Sequence, residues 1–184
     1  MRTVDGSTVG SLVCKSVPVL PEDLFDLQHE GDTVSLDGYR ALRIAVAAEL
    51  VGLMEKALSM TVEYLRLRRQ FRKPIGSFQA MQQLAASAYV DVQASRALVR
   101  ESCVSGSGDR AQAAAAAAKA RASDAALRVT RAAIQCHGAI GFADEHDIGL
   151  FLRRAMVLSG RYGNARAQRR AYLTAHGLEH GIGR

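Results

Sequence analysis

Apolar residues recur at three- and four-residue steps through Ile44, Ala47, Val51, Met54, Leu58, Val62 and Leu65, the spacing of one helix face. This pattern predicts a long helix from about Gly38 to Arg69. Pro74 and Gly76 interrupt it, and Ser77 is placed to cap a second helix. That helix carries Met81, Leu84, Ala88, Val92, Val99 and Cys103 on one face and ends before Ser105-Gly106-Ser107-Gly108. A third helix is expected from about Asp109 to Cys136. Its Ala113–Ala118 run favours helix and allows close backbone approach. HGAIGF marks a glycine corner, followed by a helix from about Glu145 to Leu158, a turn at Gly160–Gly163 and a last helix from about Asn164 to Ala175. Long helices joined by short loops predict an all-α, up-and-down bundle.

Residues 1–38 break this pattern. TVGSLVCKSVPVL is β-branched and loosely alternating, and it predicts one or two short strands with turns at Pro21 and Gly31-Asp32. Such strands cannot form a sheet alone. The segment is therefore expected to be the tail of a β-domain or a strand added to a neighbour, giving a short β-rich remnant over residues 1–38 and a helical bundle domain over 39–184.

The 184 residues suffice for one well-cored domain, and 48% hydrophobic content excludes global disorder. With 5% aromatic residues and no Trp, close-packed helices are favoured over a sandwich. Three widely spaced cysteines (Cys14, Cys103, Cys136) form neither a disulfide framework nor a zinc pattern, and reduced cytoplasmic thiols are the simplest expectation. The apolar runs fall short of a membrane span, and the N-terminus does not have the form of a secretory signal. His137, His146, His176 and His180 share no metal-ligand spacing, so no metal site is expected.

The net charge of +6 invites an acidic partner. Its densest stretch is Arg66, Arg68, Arg69, Arg72 and Lys73, flanked by Phe71 and Phe78. Three explanations fit such a cluster. Cations at a helix C-terminus offset the dipole; a basic patch binds nucleic acid; or arginine forks hold a phosphate-bearing cofactor. No nucleic-acid-binding motif surrounds the cluster, which argues against the second.

The residue order narrows the choice. YLRLRRQFRKPIGSFQAMQ resembles the acyl-CoA dehydrogenase pattern Y-x-x-x-R-x-x-F-G-x-x-I-x-x-F-Q-x-x-Q, which joins the first two long helices of that family's C-terminal domain. IQCHGAIGFADEHDIGLFLRRA resembles a second pattern, Q-x-x-G-G-x-G-[FY]-x-x-E-x-x-x-x-[KR]-x-x-R-D-A, 56 residues on from Gln79 to Gln135. The resemblance covers essentially the whole chain. It implies the family's C-terminal helical bundle and FAD bound across a subunit interface, contacted by Arg68, Gln70, Phe71, Gln79, Gln135 and Gly138. The implied reaction is α,β-desaturation of an acyl-CoA thioester, steroid- or lipid-derived. The implied assembly is a homo-oligomer or a heteromer with a longer acyl-CoA dehydrogenase subunit.

Several positions depart from the patterns. Arg72 replaces the Gly after Phe71, Ala139 the second Gly of the pair, and Arg154 the Asp of R-D-A. The family's catalytic Glu falls 27 residues beyond Gln135, on Tyr162. The alternative base position on the first helix is Leu42, and Glu49 lies two turns further along. No catalytic residue is therefore identified, and tyrosine, with an ordinary pKa of about 10, is a poor base. The rival expectation is a non-catalytic helical assembly protein descended from or cut from the family.

Overall fold

The computed structural model describes residues 1–20 and 32–178. Five helices make up the bundle: α1 (Asp32–Leu67), α2 (Gln79–Val104), α3 (Gly108–His137), α4 (Ile148–Gly160) and α5 (Ala165–Ala175). A minimal hairpin, β1 (Arg69–Gln70) and β2 (Lys73–Pro74), and a 3₁₀ turn (Ile75–Ser77) connect α1 to α2. A second 3₁₀ turn (Gly138–Phe142) follows α3. Among the described residues no helix is long and apolar enough to cross a membrane, and no cluster of His, Cys, Asp and Glu could hold a metal.

Of the predicted α1 stripe, Ala47, Val51, Met54 and Leu65 are buried and Ile44, Leu58 and Val62 half-buried, while Leu50 and Ala57, outside it, are wholly inaccessible. Each large aliphatic side chain so buried contributes about 1.5–3 kcal/mol. The alanine-rich α3 is the central element. It packs against α1, α2, α4 and α5 and is buried on nearly every side. Short side chains let these neighbours approach one axis closely, so Ala118, Ala122, Ala125 and Ala126 fill the core beside Leu50, Met54, Val92 and Leu158. Buried hydroxyls are satisfied locally: Thr61 donates to Ala57 O, Thr130 to Ala126 O and Ser95 to Asp91 O.

Several boundaries differ from the expected ones. Helix α1 begins at Asp32 and ends at Leu67, so the domain junction expected at 38–39 falls within it. Gly38, with the look of a breaker, costs a helix only about 1 kcal/mol and is tolerated. Ser77 does not cap α2: Phe78 occupies that position, and the Ser77 hydroxyl donates to Pro74 O at 2.7 Å. Asn164 does cap α5, accepting from Ala167 N at 3.0 Å. Helix α4 starts at Ile148, after a turn in which His146 Nδ1 accepts from Ile148 N.

The expected N-terminal strands are absent from residues 1–20. Only an isolated bridge, Arg2 to Thr8, is present, and Val9, Val13, Val17 and Val19 are exposed. A β-branched run without a partner edge has no ladder to join. Instead, Thr3 and Ser7 fold around the Asp5 carboxylate, which also accepts from Arg154 at 2.9 Å. Hydrogen bonds from Thr3, Ser7 and Arg154 hold that carboxyl well below the usual carboxylate range. The turns expected at Pro21 and Gly31 lie outside the described residues.

Candidate functional site

The charged stretch folds into the hairpin that closes the α1 end of the bundle. Arg68 sits at its base: its N–H continues the helix to Tyr64 O at 2.8 Å, and its carbonyl accepts from Ile75 N at 2.9 Å. Arg69 pairs with Pro74 and Gln70 with Lys73. This leaves a two-residue turn, Phe71-Arg72, with φ of 53° and 64°. Two-residue hairpins favour such left-handed pairs because they match the strand twist, but the usual residues are Asn and Gly. Holding two larger residues there costs on the order of 1–3 kcal/mol each.

The turn is braced from within. Arg69 Nη2 donates to Arg72 O at 3.2 Å, the Phe71 ring meets Phe78 edge-on at 6.0 Å, and Lys73 Nζ lies 4.2 Å over the Phe78 ring. Phe71 itself is 83% exposed, which no packing requirement of this chain explains. Arg66, Arg68, Arg69, Arg72 and Lys73 form no ion pair with any described carboxylate. Five cations within eight residues repel one another, and the arrangement is relieved by an anion.

The second motif arrives at the same end. Gly138 terminates α3 at φ 65°, and its N–H reaches back to Ile134 O and Gln135 O. Gly141 lies so close to the helix that an added Cβ would sit 2.7 Å from Ile134 O. The two motifs are joined by Tyr64 and His137. Their rings stack at 4.4 Å, and Tyr64 Oη donates to His137 O at 3.4 Å. Since Tyr64 is one turn before Arg68 and His137 precedes Gly138, this contact couples the hairpin to the glycine corner. His137 is buried with Nδ1 2.8 Å from Ala133 O, and burial lowers its pKa.

His146 is half-buried with its ring 4.8 Å from that of His137. Tyr64 stacks on His137, and His146 lies tilted against His137, an aromatic cluster without metal-ligand spacing. A search for aromatic residues flanking both motifs would have found it.

Arg68, Gln70, Phe71, Gln79, Gln135 and Gly138 are all exposed. The antiparallel run of α1, α2 and α3 places them at one end of the bundle, where they form an outward-facing surface and not an enclosed pocket. Guanidinium forks, side-chain amides and an exposed aromatic ring are the donor set that suits the diphosphate and flat ring of a dinucleotide.

Tyr162 lies elsewhere, in the turn between α4 and α5, with φ 53°. Its carbonyl accepts from Tyr39 Oη at 2.7 Å and Gln168 Nε2 at 2.5 Å, and its ring meets Tyr39 at 6.1 Å. The Arg43 guanidinium lies 4.2 Å over the Tyr39 ring. Beneath this turn Lys119, wholly buried, donates to Ser123 Oγ at 2.9 Å, Ser159 O at 3.2 Å and Gly163 O at 3.4 Å. Burial pushes its ammonium down to about 8. The reading of the sequence passed over Lys119, although a lone lysine following an alanine run was a usable signal.

Leu42 is exposed. Glu49 is committed to Arg154, which bonds it at 2.9 and 2.5 Å and bonds Asp5 on its other side. No free carboxylate stands at either expected base position. Tyr39, touching Tyr162, and Leu67, beside the hairpin, are separated along α1 by about 40 Å at 1.5 Å per residue. One flavin nucleotide cannot span that distance.

Comparison with known proteins matches the sequence and fold to the acyl-CoA dehydrogenases. The model of the acyl-CoA dehydrogenase C-terminal domain matches residues 29–174. The acyl-CoA dehydrogenase IpdE2 of Mycolicibacterium smegmatis is 38% identical over 154 residues, 84% of this chain and 46% of that protein. Butyryl-CoA dehydrogenase of Megasphaera elsdenii superposes with a TM-score of 0.75 at 31% identity, over 80% of this chain and 39% of that one. The ChsE4–ChsE5 complex from Mycobacterium tuberculosis matches with a TM-score of 0.70 at 30% identity, over 79% of this chain and 38% of that one. The chain thus spans less than half the length of these relatives.

Proposed function

The chain belongs to the acyl-CoA dehydrogenase family, and from that premise we propose that it supplies the C-terminal helical half of a flavin site shared between subunits. The reaction is α,β-desaturation of an acyl-CoA thioester, steroid- or lipid-derived. Arg68 and Gln70 hold the diphosphate of FAD bound mainly by a neighbouring subunit, Phe71 covers its adenine side, and Gln79, Gln135 and Gly138 complete the contact. One observation carries this proposal: two motifs far apart in sequence converge on a single exposed, cationic end through the Tyr64–His137 contact.

FAD, held by Arg68, Gln70, Phe71, Gln79, Gln135 and Gly138, would supply the hydride acceptor for the desaturation. This chain's own residues bind and orient it, because an uncompensated guanidinium next to a doubly negative diphosphate makes a strong charge-assisted pair. The α-proton requires a base, and among the described residues neither expected position presents a free carboxylate: Tyr162 stands at the usual one, and Glu49 on α1 is paired with Arg154. The carboxylate therefore comes from a partner, either a second copy or a longer subunit of the family. The ChsE4–ChsE5 complex offers a two-protein precedent among the structural relatives.

The visible spectrum of the chain, purified alone and with a co-expressed longer family member, tests this. Flavin absorbance is expected in the complex and should drop about tenfold or more with Arg68→Ala, equal to losing one charge-assisted contact. A colourless complex of unchanged size would instead support a non-catalytic assembly protein, the reading favoured by the missing carboxylate.

A further inference from the structure

The tip of the hairpin holds a residue that the six assigned contacts leave out. Arg72 stands where the family pattern has Gly, yet its backbone keeps φ at 64°, a conformation that glycine adopts freely and arginine does not. Phe71 beside it is left-handed as well, so the strain is not shifted onto the neighbour. The turn is nonetheless held closed by the Gln70–Lys73 pairing and by Arg69 donating to Arg72 O. Among the described residues the guanidinium has no carboxylate partner to offset this, and the residue is exposed. A side chain kept at a conformational cost, with no described ion pair and among four like charges, has its use outside the described residues.

We infer that Arg72 is a further phosphate-binding residue, adding a second guanidinium beside Arg68 to the diphosphate of FAD on the neighbouring subunit. This rests on the shared-site proposal above. Arg68 lies at the base and Arg72 at the tip of a hairpin only two residues deep. At about 3.4 Å per residue, two flexible arginine side chains on it reach the same diphosphate. Two forks on two phosphate groups neutralise the double charge that one arginine leaves half compensated.

The test compares wild type, Arg68→Ala, Arg72→Gly and Arg72→Lys. Each is purified alone and with the co-expressed longer subunit, and measured for FAD affinity by flavin fluorescence and for Tm without FAD. Arg72→Gly is expected to weaken FAD binding about tenfold while Tm rises by about 2–4 °C, since the glycine relieves the turn. Arg72→Lys retains most of the affinity and shows no rise in Tm. Titration with coenzyme A, which also carries a diphosphate, separates the two sources: a loss confined to coenzyme A overturns the assignment to FAD. Wild-type affinity in Arg72→Gly, with Arg68→Ala weakened, overturns the role of Arg72 and leaves the shared site standing. Failure of the wild-type protein to take up FAD in either state overturns both.

Discussion

Lys119 shows how one residue stabilises a turn at a pH-dependent cost. Three oxygens surround its ammonium and, among the described residues, no carboxylate does, so these contacts solvate the charge by dipoles. Burial lowers its pKa from the ordinary lysine value of about 10.5 to about 8. The unfolded chain therefore keeps this proton between about pH 8 and 10.5 while the native state releases it. Stability rises with pH across that window, by up to about 3 kcal/mol, and below it the full penalty remains. Lys119→Met should abolish this rise, seen as a denaturation midpoint that no longer increases between pH 7.5 and 10 relative to wild type. Equal slopes in the two proteins would show that the lysine is not desolvated in solution. Position 119 also shows what the sequence concealed: the residue type suggests a surface, and only the convergence of α3 with the α4–α5 turn buries it.

Among the elements, α3 bears most of the packing, and its alanines are a steric requirement as well as a helix preference. Ala122 is wholly buried at the centre of the core, whereas Ala117 is partly open along a surface cleft against α5. Ala122→Leu should cost about 1–3 kcal/mol through overpacking, and Ala117→Leu should stay within about 0.5 kcal/mol. Urea denaturation of the two variants checks the difference. Similar costs at both positions would mean that α3 is not enclosed as described. The helix itself was legible from its composition, but its centrality was not, because an alanine run reads alike on any face.

For the whole molecule, the decisive quantity is the separation of about 40 Å along α1 between the cationic end and the Tyr162 turn. Under the shared-site proposal, the two ends serve different flavins in an assembly. FAD retention is then coupled to association, so cofactor is expected to leave as subunits dissociate on dilution. Sedimentation followed by flavin absorbance checks this: flavin migrating with a dissociated single chain would contradict a site divided between subunits. High salt should also weaken retention, since the contact surface is exposed and the pairing charge-based.

Local chemistry determined much of this protein. Apolar periodicity placed the five helices and proline and glycine placed the corners, because helix spacing and backbone freedom depend on near neighbours alone; Arg68, Gln70, Phe71, Gln79, Gln135 and Gly138 were singled out as proposed contacts by family resemblance in residue order. The tertiary structure decided what depends on distant partners. It brought the two motifs together through Tyr64 and His137, tied Glu49 to Arg154, buried Lys119 without a counter-ion, and left residues 1–20 without a sheet. Each outcome requires groups far apart in sequence to meet, and no local pattern in the chain specifies such a meeting.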